Sequence, residues 1–115
     1  MIEYRLPLPP SSNNAYFNTK WGGRALTKEG EAYKLSAKRE LQLQKAQPFE
    51  GRAIVYIDVS ESECSSASDA ANREKLVTDC LVEYGVLKND SMKYVKRVSI
   101  GWEPITGCRV RLEAA

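Results

Sequence analysis

The stretch from Cys108 to Glu113 constrains the fold most. Cys108, Val110 and Leu112 alternate with Arg109, Arg111 and Glu113. Successive side chains of a strand point to opposite faces, so this strand belongs to a sheet with one buried face and one wet face. The other elements must supply the cover for the buried side.

Residues Ile2 to Leu8 alternate in the same way and read as a half-buried strand ended by Pro9-Pro10. Ser11 to Asn14 reads as a turn, and Ala15 to Trp21 as a short strand broken at Gly22-Gly23. Thr27 is placed to cap a helix, with Glu29 in the first turn where the helix dipole favours an acid, and that helix is predicted to run to about Lys45. Pro48 and Gly51 mark the next break. Arg52 to Val59 has strand composition, and Ser60 to Ser68 is a polar loop. A second helix starts between Asp69 and Asn72 and ends at Gly85. Leu76, Val77, Cys80, Leu81 and Tyr84 share one face of it, and Asn72, Lys75, Asp79 and Glu83 the other. A strand from Tyr94 to Trp102 precedes the last one. This order predicts an α+β fold, a small mixed β-sheet packed with two helices, as a single domain over residues 1–115.

Composition removes several chemistries. The chain has no histidine, which excludes Ser-His-Asp and Cys-His nucleophile systems and histidine-ligated zinc. Cys64, Cys80 and Cys108 are an odd number without close spacing, so neither a disulfide framework nor a zinc knuckle is expected. The amino-terminal residues lack a signal-peptide layout, and no apolar run approaches membrane-span length. Seventeen basic residues against fifteen acidic ones do not by themselves identify a nucleic-acid binder. Their distribution says more. Lys20 to Lys45 holds seven Lys or Arg and three Glu, while Asp58 to Asp69 holds four acids and no base. A basic half beside an acidic pocket suits a phosphodiester substrate and a metal ion.

Three segments carry a family resemblance. They are Leu6-Pro-Leu-Pro-Pro-Ser-Ser-Asn-Asn-Ala-Tyr16, Gly23-Arg-Ala-Leu-Thr-Lys-Glu-Gly-Glu-Ala-Tyr33, and Asp69-Ala-Ala-Asn-Arg-Glu-Lys-Leu-Val-Thr-Asp-Cys-Leu81 followed by Gly85-Val-Leu-Lys-Asn-Asp90. In this order and spacing they resemble the RusA family of Holliday-junction resolvases over nearly the whole chain. The resemblance implies a cytoplasmic, bacterial or phage-encoded homodimer. It would resolve four-way DNA junctions in recombination and repair by paired nicks, using Mg2+ (with Mn2+ as a possible substitute) held by aspartates. The family motif is Asp-x-Asp-Asn-x-x-Lys with a further Asp downstream. By position, Asp69 and Asp90 match the metal-binding acids, Lys75 the essential lysine and Asn72 the motif asparagine, here assigned to DNA contact. Lys20, Arg24 and Lys28 are expected to contact phosphates. Ala71 stands where the motif has its second acid.

Elementary chemistry allows such a site. Magnesium takes oxygen ligands and keeps several waters, so one or two carboxylates and a phosphate can suffice, and a bound ion can polarise the phosphoryl oxygen and deliver a nucleophile. Asp69 and Asp90 are expected to converge because the helix between them returns the chain toward the sheet. Lys75 would stabilise the transition state. The vacancy at Ala71 is expected to be filled by a neighbour such as Glu74, Asp58 or Glu63; failing that, metal binding is weaker, or the protein binds branched DNA without cutting it. Each residue also has a structural reading: Asp69 as a helix cap, Lys75 and Asp79 as a helix-surface ion pair, Asp90 as turn chemistry. Tyr84, Tyr94 and Trp102 read as core or dimer surface rather than base-stacking groups.

Overall fold

In the computed structural model, which describes residues 1–115, the chain runs through β1 (Ile2–Leu6), a single helical turn α1 (Ser12–Ala15), β2 (Tyr16–Asn18), β3 (Arg24–Leu26), α2 (Lys28–Leu43), β4 (Ala53–Ser60), a 3-10 turn (Ala70–Arg73), α3 (Glu74–Tyr84), β5 (Val95–Glu103) and β6 (Cys108–Ala114). Four strands form one mixed sheet in the order β1-β6-β4-β5, and β2 and β3 form a separate ribbon. The fold is α+β, as the alternation and the helical spacing predict.

Strand β4 is central. It lies antiparallel to β6, with Ile57 opposite Val110, and parallel to β5, with Ile57 opposite Ile100. Val55, Ile57 and Val59 are buried together with Val110 and Leu112 of β6, Leu76, Val77 and Leu81 of α3, and Ala37 and Leu41 of α2. Both long helices therefore cover one face of the sheet, and the alternating charged residues of β6 stand on the other. Tyr84, Tyr94 and Trp102 pack half-buried against the core, in keeping with the structural reading of these aromatics.

Parallel strands need a crossover, and here α3 provides it. Asp69 follows the carboxyl end of β4, where Ser60 N–H donates to Gly107 O at 2.9 Å and Glu61 N–H to Glu103 O at 3.0 Å. The loop after α3 lies at the amino end, where Phe49 N–H donates to Val86 O and Ala53 N–H to Tyr94 O, both at 2.8 Å. The sheet separates these two ends by about 25 Å at ~3.3 Å per residue.

Helix α2 starts as the sequence indicates: the Thr27 side chain accepts from Gly30 N–H at 3.1 Å. A Cβ at Gly30 would collide with the Ala15 carbonyl, so glycine lets α1 sit directly on α2. The amino-terminal third differs from expectation. The Ser11–Asn14 turn is the helical turn α1, and the strand ending at Trp21 is half of a hairpin whose second strand is β3. Gly22-Gly23 does not end the ribbon but turns it, with φ of 88° and 79°. Helix α3 begins at Glu74, preceded by the 3-10 turn.

Candidate functional site

The residues singled out around the motif gather at the start of α3. The Asp69 carboxylate accepts from Ala71 N–H at 3.1 Å and so caps the 3-10 turn. The Asn72 carbonyl accepts from the Ser12 hydroxyl at 2.8 Å, and Arg73 donates to the Pro9 carbonyl. These two bonds fasten the proline-rich segment and α1 onto the beginning of α3.

One turn further, Lys75 Nζ lies 3.5 Å from Asp79 Oδ2, and the Tyr16 hydroxyl donates to the same oxygen at 2.8 Å. The Arg24 guanidinium lies over the Tyr16 ring, 4.9 Å from its centroid, and Arg24 Nη2 reaches the Ser12 carbonyl at 3.4 Å. The contacts therefore form a chain, Lys75, Asp79, Tyr16, Arg24, Ser12, Asn72, whose two ends lie three residues apart at the start of α3. Burial, reinforced by the hydrogen bond to Asp79, raises the Tyr16 pKa well above its ordinary value, so its proton stays in place. Lys75 is 56% exposed along its side chain and is free to meet a ligand. Lys20, in the hairpin turn, and Lys28, the first residue of α2, are also exposed.

Asp90 does not join this group. Helix α3 has eleven residues and carries the chain about 16 Å away from Asp69. Because β5 runs parallel to β4, the loop holding Asp90 lies at the opposite end of the sheet. The expected convergence of Asp69 and Asp90 does not occur within one chain, and no group of three carboxylate or cysteine side chains is placed to hold a metal ion. The chain's own residues thus do not fit a shared magnesium ion.

The three acids expected to stand in for the missing motif carboxylate each have a partner already. Asp58 is buried on the other face of the sheet, where Arg109 Nε approaches to 2.8 Å and Arg111 Nη2 to 3.2 Å. Its hydrogen bond raises the Arg109 pKa. The expected acidic pocket over Asp58 to Asp69 is, at Asp58, a neutralised ion cluster. Glu63 accepts from Gly107 N–H at 2.6 Å, which lowers its pKa. Glu74 accepts from the Thr78 hydroxyl at 2.7 Å. Cys80 and Cys108 are buried thiols whose pKa values burial pushes up to about 12, so neither is poised as a nucleophile.

A family model for endodeoxyribonuclease RusA matches residues 7–113 of the chain. The chain belongs to the RusA family. The match spans the hairpin, both long helices and the whole chain of contacts around α3. No curated protein matches the chain. Membership in the RusA family supplies the coarse function, a nuclease of the Holliday-junction resolvase kind with branched DNA as substrate. No helix is long and apolar enough to cross a membrane.

Two members of the site escape sequence reasoning. Asp79 reads as the i,i+4 partner of Lys75 and Tyr16 as part of a strand; both fall in the segments that carry the family resemblance, which assigns neither a role. What joins them is the packing of the hairpin on α3, 63 residues apart in sequence.

Proposed function

We propose that this RusA-family protein binds four-way or similarly branched DNA as a homodimer and nicks it by phosphodiester hydrolysis. In this reading the start of α3 faces the scissile phosphate, with Lys75 as the cation that meets the developing negative charge. Arg24, Lys20 and Lys28 neutralise neighbouring phosphates, and Asn72 helps to position the strand. The observation that carries it is the Lys75–Asp79–Tyr16–Arg24 chain of contacts, which couples a cationic hairpin to the helix bearing the family motif. Magnesium dependence, with manganese as substitute, belongs to the proposal; the family pattern assigns Asp69 and Asp90 to the metal, and because they lie at opposite ends of one chain's sheet, the two could share an ion only between protomers of the dimer. No step is routed through the ion, because one chain does not gather its ligands.

A second reading has its own observation. Ala71 lacks the motif carboxylate, and Asp58, Glu63 and Glu74 already have partners. These facts favour a protein that binds junctions and does not cut them. One gel assay decides between the two, comparing a four-way junction with linear duplex in Mg2+ and Mn2+. Nicking of the junction by wild type, lost in Asp69→Asn and in Asp90→Asn while binding persists, is the expected result. A variant that cuts at the wild-type rate removes its residue from the site. A wild type that binds junctions but is inert with both metals, and that gains activity as Ala71→Asp, establishes the binding-only reading.

A further inference from the structure

The hairpin that anchors the site carries at its tip the most exposed large hydrophobic side chain of the molecule. Trp21 is 89% exposed, and Phe17 on the adjoining strand is 50% exposed. Solvent does not favour an indole on a projecting loop, and the chain holds this one there with some care. Thr19 N–H donates to Gly23 O at 3.1 Å and Gly22 N–H to Thr19 O at 3.2 Å, while the Thr19 hydroxyl reaches the Gly22 carbonyl. Gly22 and Gly23 take left-handed conformations that other residues adopt only with strain. The base of the ribbon is equally fixed, by Tyr16 on Asp79 and by Thr27, whose N–H donates to Ala15 O and whose hydroxyl donates to Asn14 O at 2.6 Å. Trp21 is thus presented on an ordered support tied to α3.

Charge indicates what it is presented to. From Leu6 to Lys28 the sequence contains Lys20, Arg24 and Lys28 and no carboxylate. Lys20 Nζ lies 5.5 Å from the centroid of the Trp21 ring. An apolar partner protein would not call for this one-sided charge. A nucleotide would: it combines a flat π-face with an adjoining anion, and aromatic rings set among cations are how proteins hold unpaired bases.

Resting on the branched-DNA reading above, we infer that the Tyr16–Leu26 hairpin is a branch-point reader. Trp21, supported by Phe17, stacks on a base left without its neighbour where the arms separate, and Lys20 and Arg24 hold the flanking phosphates. Continuous duplex offers no free base face, so Trp21 contributes to branch preference rather than to general affinity.

The test measures affinity of full-length protein for a four-way junction and for linear duplex, in wild type, Trp21→Ala, Trp21→Phe and Lys20→Gln. Loss of one stacked base should reduce the junction-to-duplex affinity ratio about ten-fold in Trp21→Ala. The salt dependence of junction binding should stay as in wild type, because no phosphate contact is lost. Trp21→Phe should recover most of the ratio. Lys20→Gln should leave the ratio and reduce the salt slope by about one. The part of the tryptophan emission absent from Trp21→Ala should be quenched by junction and not by duplex. A Trp21→Ala protein that keeps the wild-type ratio overturns the inference and leaves the DNA reading intact. So does one that loses junction and duplex affinity equally while its oligomeric state changes, which would mark the tip as a protein contact. A wild type with no salt-dependent affinity for either DNA overturns both. Circular dichroism of each variant confirms that the tip substitutions leave the fold in place.

Discussion

Removing a single oxygen, by Tyr16→Phe, tests the join between the hairpin and α3. The hydroxyl donates to Asp79 Oδ2 at 2.8 Å, a hydrogen bond to an ionised group. Such bonds contribute about 1.5–3 kcal/mol net. Asp79 keeps Lys75 at 3.5 Å and retains 26% of its side-chain exposure, so water and the lysine replace part of the loss. The lower end applies, about 1.5 kcal/mol. For a domain of 115 residues, ~2.1 cal/mol/K per residue makes 1 kcal/mol worth about 4 °C in melting temperature, so Tyr16→Phe should melt about 6 °C below wild type. A double-mutant cycle with Asp79→Asn should return a coupling of about 1 kcal/mol. The pH dependence carries a sign. The folded Tyr16 pKa lies above its ordinary 10.0, so its contribution is complete below pH 10 and is lost as pH rises beyond it. The variant should therefore lose less stability than wild type between pH 9 and pH 11. Thermal melts by circular dichroism across that range are the assay. A variant that melts within about 1 °C of wild type, with no coupling to Asp79, refutes the account of these contacts as a structural join.

The remaining predictions are shorter. Lys75→Ala should lower the nicking rate about 100-fold and the melting temperature by no more than about 2 °C, since an exposed helix pair is worth only ~0.3–0.5 kcal/mol; single-turnover cleavage and a melt together check this. Asp58→Ala should destabilise by about 2–3 kcal/mol, less than a fully buried pair because both arginines retain solvent access, and a urea titration showing a loss below about 1 kcal/mol would contradict it. Glu63 has a folded pKa below its ordinary 4.5, so its stabilising contribution is present above pH 4.5 and is lost as pH falls through the lower value. Glu63→Gln should accordingly flatten the fall in melting temperature between pH 5 and pH 3.

What the sequence made legible was whatever local spacing controls. The buried faces of β6 and α3, the Thr27 cap and the stop at Gly85 follow from residues within a few positions of one another. The hairpin did not, because its second strand, Arg24–Leu26, is three residues long and has no alternation to detect. The start of α3 was legible as a motif, since Asp69, Asn72 and Lys75 are close in sequence. Its ties to Tyr16, Ser12 and Pro9 were not, because each bridges 60 or more residues. The expected meeting of Asp69 and Asp90 failed for a topological reason. A helix that joins two parallel strands must deliver the chain to the other end of the sheet.

The sheet order β1-β6-β4-β5 has a consequence for how the molecule comes into being. The sixth strand in chain order, β6, is not at an edge; it is the piece inserted between β1 and β4, pairing with both. Until residues 108–114 have emerged from the ribosome, β1 has no partner in the sheet and the face of β4 lacks Val110 and Leu112. The nascent chain must therefore wait with its first strand unpaired, and native assembly is a late event governed by contacts between distant parts of the sequence, the slow kind. A chain stopped before Cys108 would present two unsatisfied strand borders instead of a folded protein, and such borders invite association with other chains.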